Sequence, residues 1–490
     1  MSVRHAALWS MGSQYAGFII QFAVTIIISR YFLNPAEIGV YSIAVAVTMM
    51  ISILQDFGLT RYISGLTDID DAKIRTCASV ALVLGLSVVV AIFISIWPVS
   101  LYFANRELVP LLAILTLSYL FTPFHMISTA LLARDLNFRG LFQVNVGSAL
   151  LAAITAIALA SAHFSASALA WSMVVQAIAK TVIAQRLRPV ATPLPPHFKD
   201  VKGIVNFGTG SAALTVIGAI GVRTPDLIIG SMLGFAAVGL FSRATALAGQ
   251  LYMLLSGAIG SIFYPAFARI RDRGDALGPP YTRVVAAYCA VTMPAMAGLA
   301  VAAVPLINGL FGAKWAGSAP VLQYIALSEM VFIALPLHMD IPILMGRMKT
   351  LIILNIADSI ASVTLLLFAA RWGLEWAAIS RIAYGFVWYA IYARLLHSLI
   401  AFKWSDMFLI YAKSLIISFV AITPLLLAYR YWVIAANMSL VTLIILSGLG
   451  AVMWMGSLVL VKHPAATEIR ELIAAALAPL KARFAARQPD

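Results

Sequence analysis

Four arginines and three carboxylates lie inside long apolar runs of this sequence: Arg30, Arg223, Arg243, Arg381, Asp226, Glu329 and Asp358. A charged group in hydrocarbon costs at least about 2.5–3.5 kcal/mol, so such a group normally faces a water-filled cavity or an oppositely charged partner. The planar guanidinium binds phosphate oxygens in pairs, whereas a carboxylate can carry a proton or a metal cation. These residues therefore indicate an anion site lined by arginine together with a possible cation site.

All of these residues except Arg243 also have a simpler explanation. Asp226 follows Arg223 by three residues and could pair with it on one helix. Glu329 and Asp358 could each carry a coupling H⁺ or Na⁺, or neutralise a neighbouring arginine. Arg30 and Arg381 lie near the ends of their apolar runs, where arginine side chains often extend to the membrane interface.

Two glutamines add a polar face to the first apolar run. Gln14 and Gln21 are seven residues apart, which places them on one side of a helix. Their amides can bind sugar hydroxyls or hydrogen-bond a neighbouring helix.

The elements that hold these residues are transmembrane helices. Hydrophobic residues make up 62% of the 490 residues, charged residues 11%, and the mean hydropathy is +0.97, values that do not fit a soluble chain. A span needs ~20 apolar residues, and hydropathy windows predict fourteen. They lie at about 6–32, 38–55, 77–97, 108–132, 141–162, 165–184, 205–231, 237–262, 284–305, 320–341, 350–369, 375–396, 408–428 and 433–460.

Basic residues are distributed unequally between the two predicted sides of the membrane. Of the 33 lysines and arginines, 24 fall on the side of the N-terminus and four on the opposite side. The positive-inside rule then predicts a multi-pass membrane protein with an even number of spans and cytoplasmic N- and C-termini. Topology and attraction to anionic membrane lipids explain the net charge of +14, so no nucleic-acid partner is expected.

An internal repeat divides the predicted helices. Residues 28–42 (the first copy) align without a gap with residues 228–242 (the second copy), and five identical pairs recur at an offset of 200: Ile28/Ile228, Leu33/Leu233, Ala36/Ala236, Gly39/Gly239 and Ser42/Ser242. Both copies would enter the membrane in the same direction, which predicts two parallel six-helix lobes around a central cavity.

The repeat gives the predicted domain organisation. The chain is expected to comprise an N-terminal lobe, an inter-lobe cytoplasmic loop, a C-terminal lobe, two additional helices and an amphipathic cytoplasmic tail, at 1–188, 189–203, 204–400, 401–462 and 463–490. Such a two-lobed bundle typically works by alternating access, so a transporter is the leading interpretation.

Motifs for other chemistry are absent or weak. The sequence contains no phosphate-binding loop, no HExxH zinc motif and no GxSxG elbow, and Cys77 and Cys289 are far apart. No resident metal or cofactor is therefore expected. The acidic cluster Asp68-Ile-Asp70-Asp71 keeps open an integral-membrane enzyme of polysaccharide assembly, such as a glycosyltransferase, polymerase or ligase, although a solvated turn explains it more simply.

Several short motifs resemble, in order, those of the Wzx-type polysaccharide-export flippases. They are RYFLNPAEIGVY from Arg30 to Tyr41, DFG from Asp56, RDLNFR from Arg134, GAKW from Gly312 and MGR from Met345. That family belongs to the multidrug, oligosaccharidyl-lipid and polysaccharide exporter superfamily. The second copy departs from the pattern, because Gly230 stands where the first copy has Arg30.

The resemblance implies a flippase that is not an enzyme. It would move undecaprenyl-pyrophosphate-linked oligosaccharide units from the inner to the outer leaflet for exopolysaccharide, capsule or O-antigen synthesis. Polysaccharide polymerases and glycosyltransferases would be its partners. A multidrug exporter of the same superfamily is the alternative, but an arginine-rich cavity argues against it.

Overall fold

The computed structural model describes residues 3–56, 58–66, 69–190, 195–198, 201, 203–204, 221 and 223–466. The secondary structure of these residues is helical, with no strand among them. The expected all-α membrane fold is confirmed. The chain divides into two compact units, of which the first comprises Met1–Ser242 with Leu310–Trp315 and the second Arg243–Gly309 with Ala316–Asp490.

The first unit contains eight described helices and the beginning of a ninth. They are α1 (Val3–Ile27, continued by a π-helical turn, Ile28–Phe32), α2 (Pro35–Asp56), α3 (Leu59–Gly65), α4 (Asp71–Tyr102), α5 (Leu108–Arg134), α6 (Phe138–Ser161), α7 (Ala166–Leu187), α8 (223–233) and α9 (Phe235–Asp272). Within the unit, α5, α6 and α7 pack together and α1 packs against α6.

The second unit contains the rest of α9 and the helices that follow, except for Leu310 and Phe311, which belong to the first unit. These helices are α10 (Gly278–Val301), α11 (Ala303–Phe311), α12 (Ser318–Ile333), α13 (Asp340–Leu344), α14 (Met348–Ala370), α15 (Leu374–Ile400), α16 (Trp404–Tyr431) and α17 (Leu440–Leu460). Here α10 packs against α12 and α16, while α15 packs against α12 and α14. The candidate site of this unit lies on α12, α14 and α15.

The repeat predicted from sequence forms a reciprocal contact inside the first unit. A Cβ on Gly39 would lie 1.8 Å from the carbonyl oxygen of Phe235, and a Cβ on Gly239 would lie 1.8 Å from that of Pro35. Both approaches are too close for any side chain, so glycine is required at the two positions. The partners are themselves 200 residues apart, as a two-fold relation between the copies demands.

The helix predicted at 320–341 is not continuous. It ends at Ile333, and α13 begins at Asp340, because Pro336 lacks a backbone N–H and Leu337 adopts φ 58. Tyrosines from helices packed nearby hydrogen-bond to the carbonyls at this break. The Tyr411 hydroxyl donates to Ala334 O at 2.8 Å, and the Tyr281 hydroxyl donates to Pro336 O at 3.1 Å. Exposed backbone groups are thus satisfied at membrane depth.

Eleven helices of the described chain are long and apolar enough to cross a membrane. Three of the fourteen predicted spans are not among them. The seventh, 205–231, falls largely outside the described residues, and the tenth is the broken helix. The twelfth is α15, which has the length to cross but carries Arg381, Arg394 and several tyrosines.

Two further predictions also fall at least partly outside the described residues. Asp68 of the acidic cluster is not described, although Asp70 is, and its carboxylate caps α4 by accepting from Lys73 N at 2.8 Å. The cluster therefore includes an ordinary helix cap. The amphipathic tail lies outside the described residues from 467 onward. The division into lobes at 188 and 204 stays a prediction.

Candidate functional site

An ion pair joins two of the predicted site residues inside the second unit. Arg381 Nη2, on α15, donates to Glu329 Oε1, on α12, at 2.7 Å. The glutamate side chain is 14% exposed and the arginine side chain 29%. Of the alternatives that the sequence left open for Glu329, the structure places it beside an arginine.

Both residues of the pair lie well inside their helices. Glu329 is eleven residues from the start of α12 and Arg381 seven from the start of α15, which at 1.5 Å per residue is about 16 and 10 Å. A helix that crosses ~30 Å of hydrocarbon would hold a charge at such a position inside the apolar layer. Pairing offsets part of the cost of burying the two charges, and removal of one partner would leave the other uncompensated.

A second polar cluster lies next to this pair, on α14 and α15. The Tyr384 hydroxyl donates to Asp358 Oδ2 at 3.1 Å, and the Tyr392 hydroxyl donates to Asn355 Oδ1 at 2.9 Å. Asp358 is buried, and its Oδ1 has no hydrogen-bond partner among the described residues. A buried carboxylate oxygen without a partner is costly, unless a proton or a cation satisfies it.

Aromatic rings line one side of these polar groups. The Arg381 guanidinium lies 5.3 Å from the centre of the Phe332 ring, and Phe332 packs against Trp388 with 5.1 Å between ring centres. His338, from the helix break, packs edge-on against Trp388 and Tyr392 at 4.8 and 5.2 Å. This apolar wall strengthens the electrostatic interactions that it encloses.

The first unit holds a looser arginine–carboxylate pair. Arg223 Nη1 lies 3.8 Å from Asp226 Oδ2, one helical turn further along α8. The arginine side chain is 33% exposed and the aspartate side chain 11%. The i, i+3 pairing that the sequence allowed is therefore present, at the long limit of an ion pair.

The other predicted residues lie on α1, on its π-helical turn and on α9. Arg30 is exposed on the π-helical turn, where Nη1 lies 3.4 Å from the Leu310 carbonyl. Gln14 and Gln21 are both exposed on α1, and they share a face as predicted. Arg243 is half-buried on α9.

Sequence analysis missed most of the side chains around Asp358 and Arg381. A signal for them was present, because Arg381, Tyr384, Trp388 and Tyr392 recur at three- and four-residue intervals on one face of α15. Asn355 and Asp358 are likewise one turn apart on α14. Among the described residues, no group of three or more His, Cys, Asp or Glu side chains could hold a metal ion.

Helices with this arrangement define a polytopic membrane protein with the fold of a known flippase. The solved structure of the lipid II flippase MurJ, in an inward closed conformation, matches with a TM-score of 0.70 over 95% of this chain and all of that chain, at 16% identity. At this identity the likeness concerns the fold alone.

The family follows from the sequence itself. Residues 27–320 match the model of the family described as "Polysaccharide biosynthesis protein". The chain belongs to this family, and its resemblance to Wzx-type proteins is confirmed.

Two relatives illustrate the range of the family. The lipopolysaccharide biosynthesis protein WzxC of Escherichia coli is 26% identical over 59% of each chain. The succinoglycan biosynthesis transport protein ExoT of Rhizobium meliloti is 26% identical over 69% of this chain and 68% of its own. The chain thus spans about three fifths of the length of the Escherichia coli relative. ExoT is named as a transport protein.

Proposed function

We propose that this protein moves oligosaccharide units linked to undecaprenyl pyrophosphate from the inner to the outer leaflet of the bacterial inner membrane. The product would supply exopolysaccharide, capsule or O-antigen synthesis. Family membership, the flippase fold and the arginines inside membrane helices support the proposal. Polymerases and glycosyltransferases of the same polysaccharide are the proposed partners, and membrane lipids surround the bundle.

The observation that carries this proposal is the partial exposure of the membrane-embedded arginines. Arg223 and Arg381 each have a carboxylate within 4 Å, yet about a third of each arginine side chain remains accessible. A guanidinium has five N–H donors, so each can still bind phosphate oxygens after pairing with one carboxylate oxygen. An apolar, acidic cavity, as a multidrug exporter would favour, does not have this composition.

Polymer export in cells tests the arginine assignment. Arg223→Lys and Arg243→Lys keep the charge but lose the planar fork, so export should fall while protein abundance holds. Polymer export should fall further in the corresponding alanine variants. Arg371→Ala, at an exposed arginine between α14 and α15, is the matched control and should export normally. Full export by Arg223→Ala and Arg243→Ala at normal abundance would remove these residues from the site.

Coupling to a cation is a further part of the proposal. Asp358 is the favoured carrier of H⁺ or Na⁺, because its Oδ1 is buried without a partner among the described residues. Glu329 and Asp226 remain the other predicted carriers. In proteoliposomes, Asp358→Asn should still bind lipid-linked sugar but lose its response to an imposed H⁺ or Na⁺ gradient. A wild-type response of Asp358→Asn, Glu329→Gln and the double variant would exclude both residues and direct attention to Asp226.

The proposed orientation, with both termini in the cytoplasm, can be tested by labelling. In a variant without Cys77 and Cys289, new cysteines at Asn105 and Thr192 should lie on opposite sides of the membrane. An impermeant thiol reagent outside intact cells should label only the first. Labelling at both positions would contradict the fourteen-span arrangement.

A further inference from the structure

We propose that Glu329 forms an ion pair with Arg381 when no substrate is bound, and that the pyrophosphate of the substrate displaces Glu329 from the arginine. Glu329 then takes up one proton. This exchange rests on the proposed function, because it needs a substrate that carries pyrophosphate. It combines two residues that the sequence assigned to separate tasks, substrate binding and cation coupling.

The geometry of the pair favours replacement of the glutamate by a larger anion. Glu329 contacts Arg381 through one oxygen, Oε1, at 2.7 Å. Nε of Arg381 is buried and has no hydrogen-bond partner in the part of the chain that the structure describes. The single carboxylate contact therefore leaves the guanidinium fork incompletely used. A phosphate group can accept from Nε and a terminal nitrogen together, which a one-point carboxylate contact does not achieve.

Phe332 holds the guanidinium in place for this exchange. Its ring lies 5.3 Å from the Arg381 guanidinium carbon and also packs against Tyr384, with 5.4 Å between ring centres. The cation–π contact does not depend on Glu329, so Arg381 keeps a partner while its anion changes. Arginine can then exchange one oxygen ligand for another without moving far.

Once an anion displaces Glu329 from Arg381, Glu329 is an isolated carboxylate, since no other partner for it is present among the described residues. An isolated carboxylate in an apolar bundle is strongly disfavoured, and protonation neutralises it. When the anion arrives, the N–H···O bond to Glu329 breaks, one to a phosphate oxygen forms, and a proton from water binds the carboxylate. When the anion leaves, that proton returns to water and the ion pair forms again.

The exchange makes anion binding depend on pH, and the surrounding groups determine how to isolate it. α12 packs against α10 and α15. The ionisable side chains of α15 are Glu375, Arg381, Tyr384, Tyr389, Tyr392, Arg394 and His397, and those of α10 are Tyr281, Arg283, Tyr288 and Cys289. Asp358 of α14 and His338 of the helix break adjoin the same cluster through Tyr384 and Trp388. Phenols, the buried thiol and guanidinium groups keep one protonation state between about pH 5.5 and 7.5. His397 lies sixteen residues beyond Arg381, about 24 Å along α15. His338 and the carboxylates therefore remain to compete with Glu329 as the origin of a pH effect.

The test measures binding of farnesyl pyrophosphate, an isoprenoid pyrophosphate without sugar, to the full chain in nanodiscs at about pH 5.5, 6.5 and 7.5. Wild-type Kd should rise about a hundredfold across these two pH units, because uptake of one proton per bound anion changes Kd about tenfold per unit. Glu329→Gln should bind tightly with a smaller change, set by titration of the probe itself. His338→Gln and Glu375→Gln, the second at an exposed carboxylate of α15, should keep the wild-type dependence.

A second measurement protects the test against variants that fold poorly. Wild-type protein in weak buffer near neutral pH should take up close to one more proton per bound anion than Glu329→Gln does. Equal proton uptake by the two proteins, or a wild-type pH profile in Glu329→Gln, would overturn the exchange while leaving the flippase proposal intact. Absence of binding by wild-type protein at every pH would instead contradict pyrophosphate recognition, and the proposed function with it.

Discussion

The two copies of the repeated hairpin share a backbone contact but differ in the chemistry around it. Gly39 and Gly239 occupy equivalent positions, and each lies against a carbonyl of the other copy. The Ser42 and Ser242 hydroxyls, also equivalent, lie 3.2 Å apart. The repeat has thus preserved the residues that allow the two helices to approach.

The residues that precede this contact have diverged. In the first copy, the Asn34 side chain accepts from Glu37 N at 3.0 Å, and the Glu37 carboxylate accepts from Asn34 N at 2.8 Å. Glu37 also accepts from the Ser165 hydroxyl. The second copy has Gly234 and Ala237 at the positions of Asn34 and Glu37, and it cannot form this capping box.

The helix ends that lead into the two copies also differ. The first copy begins with a π-helical turn that carries Arg30, whereas its counterpart in the second copy is α-helical and carries Gly230. The Ser29 carbonyl of the π turn accepts from Trp315 Nε1 at 2.8 Å. Close backbone approach thus requires glycine in both copies, whereas the arginine and the capping box are present in the first copy alone.

The glycine contact should be the most sensitive part of the hairpins. Replacing Gly39 or Gly239 with alanine places a methyl group 1.8 Å from a backbone oxygen, so the helices must separate. We expect a loss of about 3 kcal/mol, the upper end of the usual cost of overpacking, since backbone cannot move aside as a side chain can. Thermal unfolding in detergent measures the loss.

A matched control lies on the same helix as Gly239. A methyl group on Gly249 would have no neighbouring atom within 4 Å, and Gly249→Ala should raise stability by about 0.5–1 kcal/mol. Equal effects at Gly39 and Gly239 would support the symmetry of the contact. An unchanged melting temperature in either variant would contradict it.

Cross-linking the two copies should show whether their contact separates during transport. Ser42→Cys with Ser242→Cys, in a variant lacking Cys77 and Cys289, places two thiols where hydroxyls lie 3.2 Å apart. If the copies part in each cycle, oxidation should lower polymer export several-fold and a reductant should restore it. Each single cysteine variant is the control. Full export by a completely cross-linked protein would show that the contact is static.

Sequence periodicity predicted the helices well where local pattern decides their ends. The span predicted at 38–55 is α2, Pro35–Asp56, and the span predicted at 108–132 is α5, Leu108–Arg134. The break after Ile333 was missed, because apolar periodicity continues across it. Two tyrosine hydroxyls satisfy the backbone carbonyls at this break. They come from helices that are distant in the sequence, so the local sequence cannot reveal them.

The candidate site was predicted in part for a similar reason. Buried charge in an apolar run is visible in the sequence, so Glu329, Asp358 and Arg381 were all identified. Pairing was left open, because the partners Glu329 and Arg381 are 52 residues apart and lie on different helices. Tyr384, which donates to Asp358, was not selected, since one tyrosine in a helix rich in aromatic residues carries no signal by itself.

The difference between Arg30 and Gly230 gives a prediction of intermediate size. A Cβ on Gly230 would lie 2.5 Å from Ile43 Cδ1, so Gly230→Arg must displace a packed isoleucine. We expect a loss of about 1–3 kcal/mol in thermal unfolding. Gly230→Arg should therefore not restore export to an Arg30→Gly variant. Recovery of export would mean that the two positions are chemically interchangeable despite their different surroundings.

The smallest predicted effect concerns the capping box that only the first copy possesses. Asn34→Ala removes the acceptor of the Glu37 N–H and should cost about 1 kcal/mol. Gly234→Ala should cost a similar amount for another reason, because Gly234 has φ 85, a conformation that alanine rarely adopts. A double-mutant cycle separates the two causes. The effects of Glu37→Ala and Asn34→Ala on the free energy of unfolding should be coupled by at least about 0.5 kcal/mol, since the two side chains form one reciprocal capping box. The effects of Glu37→Ala and Gly234→Ala should be additive. Coupling of Glu37 to both positions would show that the copies share more than the glycine contact.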